Sequence, residues 1–198
     1  MTPLSCRLVR AVDEVREALR RHLPRVLDEG DGPRAAVAIL LHERAEGLEM
    51  LFIERAQRTG DPWSGHMAFP GGRMGPLDPD ARAAAERETF EEVGIDLATA
   101  ELLGRLDDLA GPVVPLTLSA FVYHLEAPPR LVPNHEVREV FWVPLARLLD
   151  PDHAVTHPWG ANRYPGILVG EPERHVVWGL TRQLLERYFA ILGRVLPG

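Results

Sequence analysis

Lysine does not occur in this sequence of 198 residues, cysteine occurs once, and no stretch approaches the ~18 consecutive apolar residues of a membrane-spanning helix. The lone Cys6 rules out an intrachain disulfide and a zinc site built from several cysteines of one chain. No apolar leader pattern follows Met1, so the expectation is a cytoplasmic protein without a membrane partner. Positive charge is also scarce: 22 arginines face 29 acidic residues, for a formal net charge of −7. A nucleic-acid partner is therefore not expected, because counterion release needs a basic surface. GC-rich coding accounts for the missing lysine; its chemical consequence is that arginine, with its bidentate fork, supplies every cation other than histidine. What is present, 45% hydrophobic and 26% charged residues, suits one globular domain with a full core. We divide it into an N-terminal helix and linker at 1–33, laid on a domain spanning 34–198.

The most informative stretch runs from Phe69-Pro70-Gly71-Gly72-Arg73 through an Asp- and Pro-rich turn to Ala83-Ala84-Ala85-Glu86-Arg87-Glu88-Thr89-Phe90-Glu91-Glu92-Val93-Gly94-Ile95. Its second half reads as a helix, with Asp78 as N-cap, Pro79 at the first helical position, alanines inside and Gly94 where a left-handed C-cap belongs. Glu88, Glu91 and Glu92 then stand at i, i+3 and i+4 and share one face. Like charges so spaced repel by roughly 0.2–0.5 kcal/mol per pair, which a solvated helix does nothing to offset. A hard divalent cation reverses the sign, since Mg²⁺ takes oxygen ligands from carboxylates, waters and phosphates.

Gly-Gly, Arg-Glu-x-x-Glu-Glu and Gly-Ile recur here at fixed spacing, and residues 72–95 resemble the signature box of the Nudix hydrolases. Two positions depart from the family pattern. Asp78 stands where the family usually has Glu, with eight residues rather than seven before Arg87, and Thr89 occupies an apolar position. An Asp at that point and the opening Phe-Pro-Gly-Gly are similar to the coenzyme A pyrophosphatase branch. Upstream, Arg55, Gly65 and Phe69 match that branch's preceding motif in part, while Asp61-Pro62-Trp63-Ser64 differ from it. The resemblance implies an α/β/α sandwich around a mixed sheet; periodicity alone gives α+β or α/β. It also implies Mg²⁺ or Mn²⁺ held by Glu88, Glu91 and Glu92, with a carbonyl of Gly72 as a further ligand, and Arg87 orienting a box glutamate.

Elsewhere the apolar spacing predicts a helix over Arg10–Leu27 kinked at Pro24, strands over Ala35–His42 and Leu48–Glu54 joined at Glu46-Gly47, and a loop over 55–69. Further strands are expected at Leu102–Asp107, within Val113–Leu125 and before Pro144-Leu145, then a short helix at Ala146–Leu149. Asp150–Gly166 reads as a Pro/Gly/His-rich loop whose His157, Trp159, Arg163 and Tyr164 are substrate-side candidates. A last helix to about Leu192 carries the stripe Leu180, Leu184, Leu185, Tyr188, Phe189 and Leu192, suited to the core or to a homodimer contact.

The expected function is a metal-dependent pyrophosphohydrolase acting on a small-molecule nucleotide diphosphate. By the resemblance, coenzyme A or an acyl derivative is the first substrate, with ADP-ribose or another diphosphate as the alternative. A non-catalytic nucleotide-binding domain and an assembly protein built on the terminal helices are the readings from other classes. Glu136 and Glu139 are candidates for an extra metal ligand or a general base, Arg55, Arg58 and Arg73 for phosphate contacts, and Trp63, His66 and Phe69 for a surface that binds the base or the pantetheine arm.

Overall fold

The computed structural model describes residues 11–27, 32–60, 63–111 and 115–198. Cys6, the centre of the linker at 28–31, Asp61-Pro62 and Val113 lie outside the described residues. In chain order the elements are α1 (Val12–Arg21), β1 (Arg34–Arg44), β2 (Gly47–Arg55), β3 (Met67–Ala68), β4 (Gly71–Arg73), α2 (Ala81–Val93), β5 (Glu101–Arg105), β6 (Leu109–Ala110), β7 (Thr117–Leu125), β8 (Val137–Pro144), α3 (Leu145–Leu148), β9 (Ala154–Trp159), β10 (Asn162–Leu168), β11 (Val176–Val177) and α4 (Gly179–Ile191).

The apolar run of β1 forms the middle of an eight-stranded mixed sheet. On one edge β1 pairs antiparallel with β2 and β4, on the other parallel with β7, and β8 lies antiparallel beside β2. Alternation along the strands sends two sets of side chains to opposite faces. Leu40, Leu51, Ile53 and Tyr123 pack with Ala81, Ala84, Ala85 and Val93 of α2. Ile39, Leu41, Met50 and Phe52 pack with Val15 and Leu19 of α1 and with Leu184, Leu185, Tyr188 and Phe189 of α4. This is the expected helix, mixed sheet, helix layering, and the stripe on α4 is core; it is not available as a dimer contact. The apolar face of α1 is buried as well, which removes the basis for an assembly protein.

Three expectations fail locally. The N-terminal helix ends at Arg21, not beyond Pro24, and residues beyond it run extended. Pro24 has no N–H to continue a helical ladder, and it disfavours helical backbone at Leu23. The backbone N–H groups of Arg25 and Leu27 instead donate to Asp107 and Asp108, which leaves Leu23 and Val26 exposed. Second, the supposed loop 150–166 contains β9 and most of β10, a hairpin with a two-residue turn at Gly160-Ala161 that β11 extends into a three-stranded sheet. Its prolines, Pro158 and Pro165, sit in a short sheet with solvent beside it, where a missing donor is tolerated. Third, the N-cap of α2 is Asp80, whose carboxylate accepts from Ala83 N–H at 2.8 Å, while Asp78 serves another purpose.

Gly71 is where β4 meets β1 most closely. Its φ is +149°, and a Cβ there would stand 2.3 Å from the carbonyl oxygen of Ala36 and 2.6 Å from Cα of Val37. Both neighbours are backbone and unable to move aside without breaking the ladder. Gly71→Ala is expected to cost roughly 3 kcal/mol or more, combining strained backbone with a clash in the core. Urea midpoints with an unchanged m-value would measure it, and a loss below about 1 kcal/mol would contradict the account.

Candidate metal centre

The site grows from the contact between α2 and β4. Gly71 N–H donates to Glu92 Oε2 at 2.8 Å, and a Cβ on Gly72 would lie 2.6 Å from the carboxylate carbon of Glu88. The missing side chain at Gly72 lets the Glu88 carboxylate rest on strand backbone, while that at Gly71 lets β4 close on β1 and brings its N–H to Glu92. Thr89, between them in sequence, is buried and donates its hydroxyl to Ala85 carbonyl, so a polar residue meets an apolar position without an orphaned group. The helix end is fixed by Gly94 at φ +74° and by residues 132–134, whose Val132 and Asn134 N–H groups donate to the Val93 and Glu92 carbonyls. That same loop leads to Glu136, whose N–H bonds Asn134 and whose carbonyl accepts from Ala56.

Arg87 organises the outer half of the trio. Its guanidinium donates to Glu88 Oε1 at 2.8 Å, to Glu91 Oε2 at 3.2 Å and to both oxygens of Asp78 at 2.8 and 2.9 Å. Asp78, also accepting from Gly75 N–H, is held down to about 2 by Arg87 first and that backbone bond second. It is a clamp for Arg87, and this is why it does not cap the helix. Arg87 is correspondingly raised, chiefly by Asp78.

Glu92 is only 2% exposed, and burial pushes it up to about 7 against the opposing pull of Gly71 N–H and of Arg55, whose guanidinium stands 4.0 Å away. Glu88 and Glu136 push in the same direction as burial. Burial also raises Glu88, with Glu91 and Glu136 adding to it and Arg87 opposing. Four carboxylates thus share one field. Such a donor set, oxygen throughout, suits Mg²⁺ or Mn²⁺, and bringing a cation there would remove the penalty on their charged forms.

A second group exists elsewhere and has to be weighed. Among the described residues, ligand atoms of Glu54, Glu139 and His175 lie within 4.8 Å of one another. Its centre, however, is already filled by a cation. Arg174 Nη2 stands 2.6 Å from Glu54 Oε2 and 2.9 Å from Glu139 Oε2, and Arg138 reaches Glu54 at 3.2 Å. Burial raises Glu54 and these arginines more than reverse it, leaving its pKa lowered. We read this as an ion cluster that ties the small sheet to β2 and β8.

The candidates named from sequence accordingly separate. Glu88, Glu91, Glu92, Arg87, Gly72, Arg55 and Glu136 gather around the α2–β4 contact. Arg58 joins them through Glu136 at 3.0 Å, with His135 Nε2 at 3.0 Å from the same guanidinium. Arg73 is exposed at the end of β4, its carbonyl accepting from Arg87. Glu139 does not belong: paired with Glu54 across β2 and β8, it shares the face of Phe141 and Val143, away from α2. Phe69 is core, 2% exposed and stacked on Phe52 at 4.9 Å, so it offers a ligand nothing. Trp63 is half-buried in the turn before His66. His66 lies with Trp159 and Trp178, at 5.0 and 4.8 Å, in an aromatic group the sequence did not connect. Arg163 is exposed on β10, donating to the Thr156 carbonyl.

Residues 32–161 match the family model described as the NUDIX domain. The chain belongs to the Nudix family. Among Nudix relatives, it is 38% identical over 147 residues to the mitochondrial coenzyme A diphosphatase NUDT8 of Homo sapiens, covering 69% of this chain and 60% of that protein. It is 33% identical over 152 residues to the peroxisomal coenzyme A diphosphatase ndx-8 of Caenorhabditis elegans, covering 68% and 61%. The chain spans about half to three fifths of the length of the first curated relatives it matches. A MutT/nudix family protein from Enterococcus faecalis shares the fold, with a TM-score of 0.58 at 16% identity over 90% of this chain and 73% of that one. No helix among the described residues is long and apolar enough to cross a membrane.

The raised pKa of Glu92 has a sign that can be checked. The metal-free folded state binds a proton that the unfolded chain releases between about 4.5 and 7, so this residue's contribution to stability falls as pH rises through that window. The charged form carries a penalty of roughly 3 kcal/mol. In chelator, Glu92→Gln is expected to be more stable than the parent by about 1–3 kcal/mol at pH 8, with the difference vanishing near pH 4. Urea melts at the two pH values read this directly; a variant that is less stable at pH 8 would refute it.

Proposed function

We propose that this chain is a metal-dependent pyrophosphohydrolase that cleaves the diphosphate of coenzyme A or an acyl derivative, giving phosphopantetheine and adenosine 3',5'-bisphosphate. The observation that carries the reading is the field shared by Glu88, Glu91, Glu92 and Glu136 over the Gly71-Gly72 backbone. Two relatives whose names specify coenzyme A diphosphatases support the choice of substrate. In this reading α1 is an arm laid on a catalytic domain at 34–198, the rest of 1–33 lying partly outside the described residues.

Glu88, Glu91 and Glu92 would hold Mg²⁺ or Mn²⁺, with the Gly72 carbonyl beside them. The chemistry such an ion supplies is neutralisation of the diphosphate and acidification of a water. The chain's own groups do the rest. Arg87 keeps the carboxylates of Glu88 and Glu91 turned the same way, and Gly71 N–H fixes one oxygen of Glu92. Glu136, fastened by its backbone to Ala56 and Asn134, is the general base that takes a proton from the attacking water. Arg58, 3.0 Å from Glu136, and Arg55, beside Glu92, furnish positive charge for the phosphates. A purely regulatory nucleotide-binding domain has no use for a retained carboxylate set held in this way.

A panel of coenzyme A, ADP-ribose, NADH, diadenosine polyphosphates and nucleoside triphosphates, assayed with Mg²⁺ and with Mn²⁺, tests the substrate. Coenzyme A is expected to have the highest kcat/KM; inert coenzyme A with active ADP-ribose would overturn the choice. Glu92→Gln and Glu88→Gln are expected to lose roughly a hundredfold or more in kcat/KM. Mn²⁺ is expected to raise the Tm of the parent and of Glu139→Gln, but not of Glu88→Gln with Glu92→Gln combined. A Tm response that disappears only with Glu139→Gln would move the metal to the other cluster.

A further inference from the structure

At the end of β2, adjacent residues look in opposite directions: Arg55 towards Glu92 on the α2 face, Glu54 into a cavity of about 260 Å³ on the other face. One wall of this cavity is aromatic. Trp178 is held by four rings, with His157 stacked on it at 4.6 Å, His66 at 4.8 Å, Trp159 at 5.0 Å and Tyr164 at 5.6 Å. Trp159 remains 42% exposed. These rings come from three separate stretches: the loop before β3, the β9–β10 hairpin, and the residue before α4. Apolar packing does not account for leaving one face of such a cluster open to water, whereas a stacking platform for a ligand ring does.

The opposite wall decides what kind of ring. Its charged residues are Glu54 and Glu173 against Arg138 and Arg174, two of each sign. Arg174 is engaged by Glu54, Glu139 and Glu171, and Arg138 donates to Glu54. A terminal phosphate would meet these carboxylates along with the arginines, so an uncharged group is favoured. Burial lowers the pKa of His157, which favours the neutral form of that ring. The volume is below the ~300–1,000 Å³ that takes a drug-sized ligand, so it suits one ring system rather than a whole dinucleotide.

We propose that the cavity between the β9–β10 hairpin and the loop before β3 binds the nucleobase of the substrate by stacking on Trp159, while the diphosphate crosses the end of β2 to the carboxylates. This rests on the diphosphate reading above for the identity of the ligand, and it assigns the remote end of that ligand to the opposite face of the sheet.

The test is a binding titration that needs no turnover. Intrinsic tryptophan fluorescence is followed as 5'-AMP, ribose 5-phosphate or phosphopantetheine is added to metal-free protein, parent and variants. Quenching by 5'-AMP is expected, with affinity about tenfold weaker in Trp159→Ala and nearly restored in Trp159→Phe. Ribose 5-phosphate is expected to bind parent and Trp159→Ala alike. Equal 5'-AMP affinity in parent and Trp159→Ala would overturn the proposal. So would a Trp159→Ala defect confined to phosphopantetheine, which would give the cavity to the other arm. The parent separates the two readings: a Trp159-dependent 5'-AMP site in a parent chain that hydrolyses no coenzyme A leaves the base site standing and removes the substrate assignment, whereas Glu92→Gln is expected to keep that site while losing turnover.

Discussion

The close approach of α2 to β4 is the constraint on which the rest depends. A helix carrying Glu88 and Glu92 could not lie against a strand with ordinary side chains at 71 and 72, because the Glu88 carboxylate occupies the space of a Cβ at 72 and the backbone of β1 occupies that of a Cβ at 71. Gly71 also puts its backbone N–H within reach of an anionic oxygen of Glu92. Burial of Glu92 follows from this geometry and so does its reluctance to ionise. The repulsion within the helix is thus stored by packing that the two sheet-facing alanine turns of α2 make favourable, and a cation of the right hardness is what relieves it.

The sheet also separates two polar systems of similar composition. On the α2 face the carboxylates outnumber their arginines, and Arg87 and Arg55 leave part of the charge uncompensated. On the other face Arg174 bridges Glu54 and Glu139 and Arg138 adds a bond to Glu54, so that one buried carboxylate is compensated by partly exposed partners. Removing the guanidiniums would leave the buried Glu54 carboxylate without a countercharge, whereas the exposed members Arg138 and Glu139 contribute little by themselves. The cluster's role in this chain is positional: it ties the loop before β11 to β2 and β8, and thereby sets where the hairpin bearing Trp159 stands.

Much of this was legible in the sequence, for reasons that can be named. The β1–β2 hairpin, α2 with its Gly94 terminus, and α4 carry strong local signals of period and punctuation. Asp78 and Asp80 could each have capped α2, and only the position of Arg87 across the turn decides between them. The β9–β10 strands were hidden because prolines and histidines usually mark loops, and a short sheet with unpaired flanks tolerates them. Phe69 stands between β3 and β4, outside any strand period that would show it stacking on Phe52 in the core. Glu136 and Glu139 are three apart in sequence, and the bulge where β8 passes Arg55 sends the latter to the far face. The aromatic group joins stretches about a hundred residues apart, and no spacing rule connects them.

The parallel pairing of β1 with β7 has a further consequence for biosynthesis. When a ribosome has completed α2, every box carboxylate has been made, and β1, β2 and β4 can pair locally. The other edge of β1, from Arg34 to His42, stays open until Thr117–Leu125 has emerged. During that interval an apolar strand exposes its hydrogen-bonding groups to any neighbouring nascent chain, and the edge of β2 stays open longer still, until β8 is made.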